Sequence, residues 1–118
     1  MRQTVKCSQI AVDIRKRRAG SEGCLDKEII RRVIRQHRNE VRYCYERGLV
    51  TKPELQGRVV TSFTIANNGR VLSSAVTDSS LHTPDVEACI ALAVRRWDFP
   101  SSAQTSMVSY PFMLTPPR

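Results

Sequence analysis

The sequence predicts an α+β domain in which two amphipathic helices lie on one face of a three-stranded antiparallel sheet, in the order helix, strand, strand, helix, strand. Three observations carry that expectation. Apolar residues recur at helical spacing in two separate stretches, from Leu25 to Leu49 and from Val86 to Trp97. Two alternating stretches flank Asn67-Asn68-Gly69, a hairpin signal because Asn-Gly accepts the positive φ angles of a tight turn. A third alternating stretch runs from about residue 107 to 114. A chain of 118 residues has room for one such core, and 41% hydrophobic with 25% charged residues suits a packed fold rather than a disordered one.

Residues 1–23 are the least regular. Val5, Cys7, Gln9 and Ala11 alternate weakly, as a short strand does, ahead of the basic run Arg15-Lys16-Arg17-Arg18 and of Gly20-Ser21-Glu22-Gly23. The chain therefore divides into a basic amino-terminal extension or linker, residues 1–24, and a domain, residues 25–118. The first helix collects Leu25, Ile30, Ile34, His37, Val41, Cys44 and Leu49 on one face, with Arg31, Arg32, Arg35, Arg38 and Arg42 opposite. Asp26 is its expected N-cap, Leu25 and Ile30 fit a hydrophobic staple, and Gly48 and then Pro53 bring it to a stop.

The first strand turns Val59, Thr61, Phe63 and Ile65 to one side. A two-residue loop at Asn68-Gly69 places Leu72, Ser74 and Val76 beside Ile65, Phe63 and Thr61. A bulged three-residue loop brings Val71 and Ala75 inward instead, and the sequence leaves both registers open. The second helix opens at Thr83-Pro84-Asp85, with a capping hydroxyl, a proline at the first helical position and acids in the first turn. Its inner face is Val86, Cys89, Ile90, Ala93 and Trp97. Val108, Tyr110, Phe112 and Leu114 share one side of the last strand.

The four cysteines, Cys7, Cys24, Cys44 and Cys89, include no C-x-x-C pair, which argues against a structural zinc site; no metal and no cofactor is expected. Cys44 and Cys89 each fall on the apolar face of a helix, and both faces meet over one sheet, so a bridge between them is geometrically feasible. Cys7 and Cys24 pair by elimination. Buried free thiols are the alternative, and bridges would indicate an oxidising compartment.

All of the formal charge of +8 lies in residues 1–52, where arginine outnumbers lysine, which suggests attraction to an anionic partner. Arg15, Lys16, Arg17 and Arg18 form the compact part of that patch. No apolar run approaches the length of a membrane span and no signal peptide is visible, so any anchor is expected outside this fragment. Catalysis finds no support: the sequence has no nucleophile elbow, no phosphate loop, no H-E-x-x-H and no base–nucleophile pair. His37 reads as a core histidine and His82 as a loop residue. Trp97 and Phe99 read as core anchors, and at least one of Tyr43 and Tyr45 should be partly exposed.

Several short pieces then occur in one order: Val41-Arg42-Tyr43-Cys44-Tyr45-Glu46, Gly57-Arg58-Val59, Phe63-Thr64-Ile65, Gly69-Arg70-Val71, Val86-Glu87-Ala88-Cys89, Arg96-Trp97-Asp98-Phe99-Pro100 and Tyr110-Pro111-Phe112. Together they resemble the TonB carboxy-terminal-like domain, in the version that ends myxobacterial gliding-motility proteins of the AgmX/PglI type, over about residues 25–115. The resemblance implies a periplasmic, non-enzymatic interaction module at the end of a larger protein anchored in the inner membrane. Such a module couples a proton-driven motor, reached through the upstream region, to envelope or outer-membrane partners. The resemblance also supports the Cys44–Cys89 bridge. TonB-like domains dock partners on the edge of the last strand, which here is Met107, Val108, Ser109, Tyr110, Pro111, Phe112 and Met113. Proline fits only an edge or a bulge, so Pro111 agrees with an edge position while removing one donor from it.

Two rival readings stand beside this one. The high pI, about 9.9, and Gly20-Ser21-Glu22-Gly23 suggest a basic nucleic-acid-binding domain with a KH-type loop. Against it, that loop contains Glu22 and precedes the first clear helix, and the strands lack paired exposed aromatics, so no nucleic-acid partner is expected. The other rival is a passive structural tether whose edges bind nothing specific.

Overall fold

A computed structural model describes residues 3–7 and 23–116 of the chain. The elements are β1 (Thr4–Cys7), α1 (Lys27–Gln36), α2 (Arg38–Thr51), β2 (Gly57–Ile65), β3 (Val71–Ser79), α3 (Pro84–Arg95) and β4 (Ser106–Leu114). The strands form one antiparallel sheet in the order β1-β4-β2-β3. The α+β class is as expected, with two differences in detail. The sheet has four strands rather than three, and the helices number three rather than two.

The extra strand comes from within the segment assigned to an extension: Thr4–Cys7 pairs with the first half of β4, from Thr4 opposite Ser109 to Cys7 opposite Ser106. Four residues with weak alternation carry little signal alone, and this strand is fastened by a covalent bond. Cys7 and Cys24 are disulfide-bonded with Cα atoms 5.4 Å apart.

The extra helix arises because the first one breaks at His37. Asp26 caps α1 as expected, accepting the Glu28 N–H on Oδ1 at 3.1 Å. At the break the ladder tightens: the His37 N–H donates to the Ile34 carbonyl and the Glu40 N–H to the His37 carbonyl, both at 3.0 Å. Gly48, expected to end the helix, lies inside α2 and has another use. A Cβ there would stand 2.6 Å from Val86 Cγ2, so its absence lets α2 and α3 approach closely. Across this contact Cys44 and Cys89 are disulfide-bonded with Cα atoms 5.6 Å apart, closing 45 residues of chain. In the chain-entropy model such a loop stabilises the fold by about 4 kcal/mol.

The hairpin combines both registers left open by the sequence. Asn67-Asn68-Gly69 is a three-residue loop, closed by Ala66 N–H to the Arg70 carbonyl at 2.7 Å and Gly69 N–H to the Ala66 carbonyl at 2.9 Å. This turns Val71 inward opposite Ile65. A bulge then passes over Leu72, which is 54% exposed, and restores Ser74 opposite Phe63 and Val76 opposite Thr61.

One core cluster joins Ile30, Ile34, Val41 and Cys44 from the first two helices, Val86, Ile90 and Val94 from α3, and Val59, Phe63, Ile65, Val108, Phe112 and Leu114 from the sheet. All three helices therefore cover the same face. Trp97 and Phe99 are buried in this cluster as expected. The helix-free face carries Ser62, Thr64, Ser73, Met107 and Ser109 among others.

Candidate docking groove and strand edge

The strand expected to be a docking edge is interior along half its length. β2 pairs with β4 from Gly57 opposite Leu114 to Ile65 opposite Ser106, without a register shift. On the other side β1 covers only residues 106–109. Of the seven candidate edge residues, Met107, Val108 and Ser109 are thus masked by β1. Tyr110, Pro111, Phe112 and Met113 have no strand beside them on that side among the described residues. Proline fits a ladder only where its nitrogen faces away from the paired strand, and with β2 in unbroken register this turns the Pro111 nitrogen to the side away from β2. Met113, the next position of the same parity, is 71% exposed.

Beside this half-edge runs a groove of about 610 Å³, walled on the far side by α1 and α2. Its apolar lining comes from Ile34, Val41, Tyr110 and Phe112, and its polar lining is dominated by Arg35, Arg38 and Arg42. None of these arginines has an ion-pair partner among the described residues. Arg31, by contrast, pairs with Glu28. The sequence placed Arg31, Arg32, Arg35, Arg38 and Arg42 together on the face opposite the apolar one; the structure sends three of them to the groove. Tyr45 closes the inner end, its hydroxyl donating to the Leu55 carbonyl, and its burial pushes the phenol above its ordinary pKa.

The sheet's other margin, β3, is a poorer strand acceptor. Two register shifts bend it, and Arg95 Nη1 already donates to the Val71 carbonyl at 2.5 Å.

Behind the groove the helix break is held by a cluster that the sequence reading missed. Glu40 Oε2 lies 2.6 Å from His37 Nδ1, and Glu40 Oε1 accepts the Trp97 indole N–H at 3.1 Å. The His37 and Trp97 rings stack with centroids 4.7 Å apart. Burial raises the Glu40 pKa, but hydrogen bonds from His37 and Trp97 and the charges of His37 and Arg96 outweigh it, leaving the carboxyl below its ordinary value. An acid three residues after a histidine in a basic helix was the available signal. His37 is therefore a half-buried ring stacked on the core rather than a residue within it. Tyr43 is 60% exposed and Tyr45 is buried, matching the expectation that one of the two faces solvent.

A second groove of about 920 Å³ runs between α2 and α3 over the Cys44–Cys89 bridge, flanked by exposed Tyr43 and Leu92. Arg15, Lys16, Arg17 and Arg18 lie outside the described residues, as does most of Gly20-Ser21-Glu22-Gly23. No group of His, Cys, Asp or Glu among the described residues is placed to hold a metal ion, and no described helix is long and apolar enough to cross a membrane. The two disulfides point to an oxidising compartment. Comparison of the chain with protein-family models, curated proteins and solved structures gives no match.

Proposed function

We propose that the chain is a protein-interaction module that receives an extended segment of a partner as an added strand at residues 110–114 of β4. The observation that carries this reading is a strand whose one side is fully paired and whose other side is paired, among the described residues, for only half its length, with a groove alongside. An open run of main-chain donors and acceptors is an invitation to pair, and natural edges are usually blunted against it. Here β1 and Pro111 blunt part of the margin and leave the remainder beside the groove. The TonB-like resemblance sets this in the periplasm, on a protein tethered to the inner membrane and coupling a proton-driven motor to an envelope or outer-membrane partner, in gliding motility or a related energy-transducing system. The disulfides support a location of that kind.

The test is a photo-crosslinking residue placed at Met113 and, separately, at Leu72 on the other margin of the sheet. With envelope extract, Met113 should yield a reproducible product and Leu72 none. Absence of product at both positions would favour the passive tether.

A further inference from the structure

Resting on this strand-docking reading, we propose that the docked segment is an extended stretch of a partner protein in which acidic side chains alternate with apolar ones. A strand added to residues 110–114 would turn alternate side chains toward the helices and the remainder toward the helix-free face. On the helix side they meet Arg35, Arg38 and Arg42, unpaired among the described residues, with Glu46 the single acid in the lining. Arg38 and Arg42 follow one another within α2 by four positions, about one helical turn of ~5.4 Å, and Arg35 stands just before the break at His37. Side chains of one parity along a strand repeat every ~6.7 Å. A long guanidinium side chain spans that difference, so successive acids can each find a partner and form charge-assisted hydrogen bonds. Side chains of the other parity lie beside Pro111 and the exposed Met113, which suits apolar groups.

The same charges disfavour the other occupants. Two copies joined edge to edge would bring their arginine rows together, and each chain already carries +8. A nucleic-acid strand would satisfy the arginines through phosphates but has no main-chain ladder to complete the β4 margin.

The experiment is a titration of the full chain, disulfides intact, with three labelled probes: an alternating Glu-Val peptide, an alternating Lys-Val peptide and a single-stranded oligonucleotide, at low and physiological salt. The Glu-Val peptide should bind, weakening with salt, and the Lys-Val peptide should not. R38E and R42E should each reduce Glu-Val binding roughly tenfold or more, whereas R32E, outside the groove, should leave it unchanged. Met113→Pro should abolish it by removing the free-margin donor.

If Glu-Val and Lys-Val peptides bind alike and Met113→Pro abolishes both, the acidic specificity is overturned while strand docking stands. If neither peptide binds, both readings fall. Preference for the oligonucleotide over the Glu-Val peptide, unchanged Glu-Val binding in R38E and R42E, or a stable dimer in sedimentation also overturns the proposal.

Discussion

Glu40 serves two neighbours at once, accepting the indole N–H of Trp97 and bonding His37 at the point where α1 gives way to α2. It thus links the break in the groove's helical wall to the centre of the core, since Trp97 is 2% exposed. Its carboxyl pKa lies below the ordinary value in the fold. A carboxylate depressed in this way contributes stability that is fully present above its unfolded pKa and is lost as pH falls through the folded one. Glu40→Gln keeps an acceptor for the indole but removes the charge. Chemical denaturation across pH should therefore show the variant less stable than the parent at neutral pH, with the gap narrowing on the acid side of the ordinary glutamate range. A gap that stays constant into acid would mean that Glu40 acts by shape alone.

At the scale of elements, the hairpin turn shows how a local signal can be read and still mislead about register. Asn-Gly marked the turn, and periodicity marked which residues of β2 face inward. Neither reveals the bulge at Leu72, because that bulge is fixed by what the turn docks against. The Gly69 carbonyl accepts the Phe99 N–H, and the Asn67 carbonyl accepts the Ser102 N–H, from the segment between α3 and β4. Gly69 has φ +93°, and a Cβ there would stand 1.9 Å from the Phe99 carbonyl oxygen. Gly69→Ala should accordingly destabilise the fold by more than ~1 kcal/mol, combining left-handed strain with a main-chain clash. The measurement is urea unfolding, and a neutral result would show that the turn is not held against residues 99–102. The helix pattern was legible for a comparable reason and failed at a comparable place. Apolar spacing identified the inner faces of α1, α2 and α3, and those faces made a bridge between Cys44 and Cys89 feasible, which the structure bears out. The break at His37 depends on Trp97, sixty positions away, which periodicity within a helix cannot register. The groove was invisible for the same reason: its arginines are ordinary solvated charges until a strand edge is set opposite them.

The molecule as a whole carries two bridges with different consequences. Cys44–Cys89 joins α2 to α3 beside the core, so its strength is shared by the entire domain. Cys7–Cys24 instead ties β1 to the start of α1, where the Leu25 N–H donates to the buried Ser106 hydroxyl at 3.0 Å. A four-residue strand has few ladder bonds of its own, so the expectation is that this tether holds β1 over the first half of β4. Replacing Cys7 and Cys24 together by serine should therefore leave the core folded while the amides of Met107 and Ser109, the positions of Pro111's parity that face β1, exchange faster with solvent than in the parent. Hydrogen exchange read by mass spectrometry would show it, with residues 59–65 of β2 as the internal reference. The same variant should present a longer open edge, and a docked peptide should then protect Met107 and Ser109 in addition to residues 110–114. If Met107 and Ser109 stay as protected as before, β1 is held by its own contacts and the bridge does not govern the length of the edge. If protection is lost throughout the sheet, the amino-terminal strand is part of the cooperative core rather than a cover laid over half of β4.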